Sequence, residues 1–118
     1  MTRTLGFGFA ALFLAIGAGA VVAPRFSAGQ YGLPSGDAEA LAFVRATGAR
    51  DVLLGGLILA SLGERAALRR TLGWSALVGL ADAGIVFARR GPQIQHVVHL
   101  SGFAALALAA LALREPNG

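Results

Sequence analysis

Long apolar stretches separated by short polar ones run the length of this chain, and each long stretch has helix dimensions. The first, Leu5 to Ala23, is closed by Pro24-Arg25. Its nineteen residues make about 28 Å of helix, close to the thickness of a hydrocarbon core. Ala18-Gly19-Ala20 resembles a signal-peptide cleavage site, but the run exceeds the usual 7–15-residue signal core, so a retained helix is expected. Residues 24–36, PRFSAGQYGLPSG, hold two prolines and three glycines without periodicity. They read as a loop, with Phe26 and Tyr31 available to the membrane interface. Ser35 or Asp37 then caps a new helix, because both side chains accept from free backbone amides.

The second helix needs an earlier start than its apolar residues indicate, since Val52 to Leu62 is too short to span a bilayer. Carried back to Asp37 it reaches about 40 Å and ends near Gly63, which sets Arg50 and Asp51 near its middle. After the turn Glu64 to Arg70 a third span covers about Ala67 to Ala88, ended by Arg89-Arg90-Gly91-Pro92. A fourth runs from about Gln93 to Leu113. The pattern thus predicts an all-α integral membrane protein, a four-helix transmembrane bundle forming one domain over 1–118, with spans at about 5–23, 37–63, 67–88 and 93–113.

Composition agrees. Of 118 residues 56% are apolar and 14% charged, against about 25% charged in a soluble domain, so lipid must cover what water cannot. With no cysteine, disulfides and thiolate metal sites are excluded. The net charge of +4 invites a nucleic-acid reading, yet all ten basic residues are arginine and most flank apolar runs. That arrangement marks topology, and no nucleic-acid partner is expected. Four spans would put Arg3, Arg65, Arg69, Arg70 and Arg114 on one side and Arg25, Arg89 and Arg90 on the other. The arginine excess therefore predicts a multi-pass protein of the cell membrane with both termini in the cytoplasm.

Counted from that side, Asp51 lies about 18 Å deep, Arg50 about 20 Å, His99 about 21 Å and Asp82 about 22 Å, with His96 one turn further outward. Each Asp or Arg at such a depth costs roughly 2.5–3.5 kcal/mol before pairing, so the group must face itself or a wet cavity. Arg50 and Asp51 are about 100° apart on the helical wheel and are each expected to seek a partner on another helix, Asp82 for Arg50. Ser75, Asp82 and Arg89 form one polar line, and Gln95, His99 and Gly102 another. Gly48, Gly55, Gly56, Gly73, Gly79, Ala83, Gly84 and Gly102 are small enough to allow close helix approach.

These residues form the expected site. Asp51, Asp82 and His99 are the candidates for catalysis, with Asp51 as the acid, and Arg50, His96, Gln95, Ser75 and Tyr31 for binding substrate. Asp51 and Asp82 sit in different electrostatic settings beside one arginine, which is how one carboxyl stays protonated while another stays ionised. His96 and His99 at i, i+3 with two carboxylates are a weak ligand set for zinc or iron. No phosphate loop, dinucleotide fingerprint, haem-attachment motif or serine elbow is present, and neither a metal nor another cofactor is expected.

The stretch Thr47-Gly48-Ala49-Arg50-Asp51-Val52-Leu53-Leu54-Gly55 resembles the Gly-x-Arg-Asp signature of a family of small four-helix membrane proteins known as domain of unknown function 4267. Asp82 and the segment His99-x-x-Gly102 resemble that family's later polar positions. In size and layout the family is similar to DoxX-like membrane proteins, some associated with quinone or sulfur redox complexes. Some membrane proteins of comparable architecture are terpenoid or epoxide cyclases that use buried acids.

The expected function is an intramembrane polar pocket that binds a lipophilic small molecule or lipid and performs acid–base chemistry on it, such as isomerisation, epoxide opening or cyclisation. The bilayer is its setting, and a homo-oligomer is compatible with it. The rival expectation is a non-catalytic accessory or scaffold subunit of a redox or biosynthetic complex. A cavity touching Asp51, Asp82 and His99 separates the two.

Overall fold

The computed structural model describes residues 2–114, and nearly all of them are helical. The first apolar run forms α1, Thr2–Val22. The next residues are not a loop, as Pro24, Gly29 and Gly32 led one to expect, but a two-turn helix, α2, Pro24–Tyr31. Proline is tolerated there because it sits at the first helical position, where its missing N–H has no intrahelical acceptor to lose. Gly32 ends α2 at φ +102°, with the Gly32 and Leu33 amides closing back on Gly29 and Ala28 carbonyls. A side chain would be strained at that backbone angle.

Helix α3, Ala38–Ala60, is capped by Asp37, the second of the two expected residues, with Ser35 supporting the turn before it. The Asp37 carboxylate accepts from the Ala40 amide at 2.9 Å, and Ser35 Oγ accepts from the Asp37 amide at 3.1 Å. Helices α4, Arg65–Arg90, and α5, Gln95–Ala112, complete the chain. Arg65 Nε donates to the Leu113 carbonyl at 3.2 Å, tying the start of α4 to the end of α5. Among the described residues three helices, α1, α4 and α5, are long and apolar enough to cross a membrane. The 23-residue α3 has the length but carries Glu39, Arg45, Arg50 and Asp51.

The helices associate as two antiparallel pairs, α1 with α3 and α4 with α5, that touch each other much less than they touch internally. Glycine sets the first pairing. A Cβ on Gly17 would stand 2.6 Å from the Gly48 carbonyl oxygen, and one on Gly55 would stand 2.8 Å from Leu14. The backbones pass too closely for any larger residue. Four other expected contact glycines do not share this role, since nothing lies within 4 Å of a Cβ on Gly56, Gly73, Gly84 or Gly102, while one on Gly79 would make ordinary contact with the α5 backbone, 3.7 Å from the His99 carbonyl oxygen.

At one end the two pairs close on a common apolar core of Ala10, Ile58, Leu68, Leu72, Leu106 and Leu113. Ser61 Oγ and Thr71 Oγ1, 3.0 Å apart, bridge α3 to α4 there. The outer surface is apolar too, with Trp74, Phe43 and Ile94 each at least 70% exposed. So wide an apolar surface fits contact with lipid.

Candidate functional site

The buried stripe of α3 is Leu41, Gly48, Asp51, Gly55 and Ile58, and that of α4 includes Leu72, Ser75, Asp82, Ala83 and Val86. Asp51 and Asp82 therefore occupy positions that helical spacing gives to the core. Both are more than 90% buried. Arg50, one step off the α3 stripe, reaches into the seam between the pairs and meets both.

The pairing with Asp82 is a two-pronged fork: Nη1 donates to Oδ1 at 3.0 Å and Nη2 to Oδ2 at 2.9 Å. Arg50 also grips Asp51, with Nε at 3.1 Å and Nη2 at 3.0 Å from the same Oδ1. The Arg50–Asp82 contact is the one the shared depth predicts. The Arg50–Asp51 contact corrects the wheel argument, since a long guanidinium arm bends across the 100° between neighbours. Among the described residues Asp51 has no hydrogen bond to another helix. The two acids are thus unequal. Both Asp82 oxygens are engaged, whereas Asp51 Oδ2 has no hydrogen-bond partner among the described residues.

Space lies on both sides of this cluster. One cavity of about 510 Å³ is walled by Phe9, Phe13, Val78 and Leu106 and also reached by Ser75 and His99. A second of about 520 Å³ lies toward α2, among Ala28, Leu33, Phe43, Thr47 and Ile85. Tyr31, Arg50, Asp51 and Asp82 line both, so they form a polar partition between two apolar chambers. Either volume falls in the range of small-molecule sites, roughly 300–1,000 Å³.

His99 Nε2 stands 2.8 Å from the Tyr31 carbonyl, with the two rings edge to face at 4.7 Å. A carbonyl only accepts, so Nε2 carries the hydrogen and Nδ1 of the neutral ring is left as an acceptor. Burial foremost, and the Asp82 carboxylate beside it, push the Tyr31 hydroxyl well above the usual phenol range. It stays a neutral donor. Ser75 Oγ donates to the Thr71 carbonyl at 2.8 Å and keeps its lone pairs.

Of the expected site residues, Arg50, Asp51, Asp82, Ser75, Tyr31 and His99 come together around the cavities. Gln95 and His96 line neither, because they lie in the first turn of α5. His96 Nδ1 accepts from the Gln93 amide at 3.0 Å and its ring meets Phe87 edge-on at 5.7 Å. Its Nε2 is buried without a partner among the described residues. No three of the described His, Asp or Glu side chains group closely enough to hold a metal ion.

Sequence reasoning missed the apolar walls. Phe9, Leu12, Phe13 and Ile16 recur at i, i+3, i+4 and i+7 along α1 and all line the first cavity, a spacing that could have revealed that face. A family model described as "Domain of unknown function (DUF4267)" matches residues 10–113, which include every residue of the partition. Neither the curated proteins nor the solved structures gave a match.

Proposed function

The chain belongs to the DUF4267 family, and we propose that it is a four-helix membrane protein whose polar partition binds a lipophilic small molecule and performs acid–base chemistry on it. In this reading α3 is the fourth span. Its 23 residues extend about 34 Å, enough for the hydrocarbon core. Three of its four charges are engaged within the protein: Arg45 Nε donates to the Val21 carbonyl at 3.3 Å, and Arg50 and Asp51 hold each other, while Glu39 sits exposed in the first turn. The cell membrane is the site, with both termini and the α3–α4 turn in the cytoplasm on the arginine excess.

The observation that carries the reading is the buried Asp51 carboxyl, whose Oδ2 is free of hydrogen bonds among the described residues and accessible from the apolar cavities that meet there. One guanidinium faces two carboxylates, so the cluster holds one negative charge too many for a low-dielectric site. A proton on Asp51 Oδ2 removes it. That proton passes to a double bond or epoxide oxygen of the substrate, and Arg50 receives the new carboxylate without moving. His99 Nδ1 then takes a proton from the neighbouring carbon of the cationic intermediate, so substrate and product differ by no net proton. Tyr31 remains a neutral donor to a substrate oxygen. Proton exchange through the open cavity resets the pair.

One observation favours the rival role of accessory subunit: all three charges find partners within the chain. Chambers of ligand size on both sides are not required by that role. The test is thermal stabilisation and turnover with panels of terpenoid, epoxide and quinone compounds. Asp51→Asn is expected to keep its unfolding temperature and ligand stabilisation while turnover falls by a factor of about 10² or more. Full turnover in Asp51→Asn, or a panel in which nothing binds, would leave the accessory role ahead.

A further inference from the structure

A second site lies on the outer surface of the α4–α5 pair, away from the polar partition. Residues Arg70, Gly73, Trp74 and Leu77 follow one another along a face of α4, and Phe103, Ala107 and Ala110 do so along α5, with Arg114 just past its end. The two faces enclose a groove of about 500 Å³. Its floor is made of small residues, Gly73, Ala76, Ala107 and Ala110, and a Cβ on Gly73 would meet nothing within 4 Å. Trp74, Leu77, Phe103 and Leu111 form the walls.

Charge gathers at one end only. Arg69, Arg70 and Arg114 line that end, where α4 begins and α5 finishes. Their single acidic contact among the described residues is Arg70 with Glu64, 3.9 Å apart and well exposed, a pairing of little strength. An apolar trough that runs into the bilayer and ends in three arginines at its surface matches a molecule with an acyl chain and an anionic head.

We propose that this groove is a binding site for an anionic phospholipid of the surrounding membrane, its phosphate held by Arg69, Arg70 and Arg114 and one acyl chain laid over Gly73 beside Trp74. The proposal rests on α4 and α5 crossing the membrane, and it is independent of any chemistry at Asp51. Any phospholipid can fill the trough, since the chain leaves lipid for lipid. Selection therefore comes from the head group, at about fivefold in affinity per arginine near the surface.

Trp74 is the protein's one tryptophan, so its fluorescence reports the groove directly. The protein is reconstituted into phosphatidylcholine vesicles containing a minor fraction of acyl-brominated phosphatidylglycerol or, in parallel, acyl-brominated phosphatidylcholine. Quenching of Trp74 is expected at about a hundredfold lower mole fraction of the anionic lipid, from three arginines acting together. The triple variant Arg69→Gln, Arg70→Gln, Arg114→Gln should erase that preference. Arg25→Gln, Arg89→Gln, Arg90→Gln, at the opposite end, should keep it. Gly73→Leu, which fills the floor and keeps every charge, should remove the preferential quenching and guards against misfolding of the triple variant. Equal quenching by both lipids in the unmodified protein would overturn the proposal. So would an equal loss of preference in the two triple variants, or preferential quenching that survives Gly73→Leu.

Discussion

The two ends of the helix pairs are joined by different physics. Where α3 turns into α4, all four long helices meet on one apolar core that includes Ala10, Ile58, Leu68, Leu72 and Leu113. Toward α2, the pairs are held by one forked ion pair, Arg50 to Asp82, with cavities on either side. Apolar packing can close an interface, but in lipid it has little to discriminate with, since the alternative neighbours are equally apolar. An ion pair is costly to bury and can hold two surfaces a fixed distance apart. The closed end gives cohesion, and the hollow end gives a defined space.

Removing the strut should have the largest effect. Arg50→Gln leaves the buried Asp82 carboxylate without its cation and Asp51 without its hydrogen-bond partner, and should destabilise the protein by about 3–5 kcal/mol in detergent unfolding. Asp82→Asn should cost less, because Arg50 still holds Asp51. The double variant should recover part of the Arg50→Gln loss. Strictly additive losses would mean that the two ends do not differ as described.

Gly48→Ala tests what aims the strut. Its new Cβ would stand 2.6 Å from the Gly17 carbonyl oxygen, prising α3 from α1 just before Arg50 at about 1–3 kcal/mol. The contrast is Gly84→Ala, which meets nothing and should be neutral or stabilising by up to about 1 kcal/mol. Equal effects at the two glycines would show that helix propensity, not backbone contact, governs both. The smallest loss is expected at the closed end: Leu72→Ala should destabilise by about 1–2 kcal/mol, the cavity part of a core truncation, since transfer into lipid contributes little. Ligand stabilisation measured on that variant should be unchanged, because Leu72 lines neither chamber.

The same contrast separates what could be read from the sequence. The apolar runs, the Asp37 cap and the common depth of Arg50 and Asp82 follow from helix rise and the cost of buried charge, which are properties of single helices. The misreadings concern what depends on neighbours. Pro24 and Gly32 carry loop signals, yet they bracket α2 because one stands where a proline fits and the other where a helix must stop. Gly17 and Gly48 touch while Gly73 and Gly84 do not, and nothing in their local sequence distinguishes them. The helical wheel points Asp51 to a partner across the bundle because it compares directions of Cβ and ignores the reach of a guanidinium.

That short reach between neighbours bears on how the protein is made. Arg50 and Asp82 are 32 positions apart, so at roughly 5–20 residues per second the ribosome completes Asp82 about 2–6 s after Arg50. With α3 as the proposed fourth span, it faces the insertion machinery alone during that interval. Asp51, made immediately after Arg50 and hydrogen-bonded to it, gives the nascent helix its own counter-ion, so a segment otherwise too charged for lipid can be admitted before its permanent partner exists.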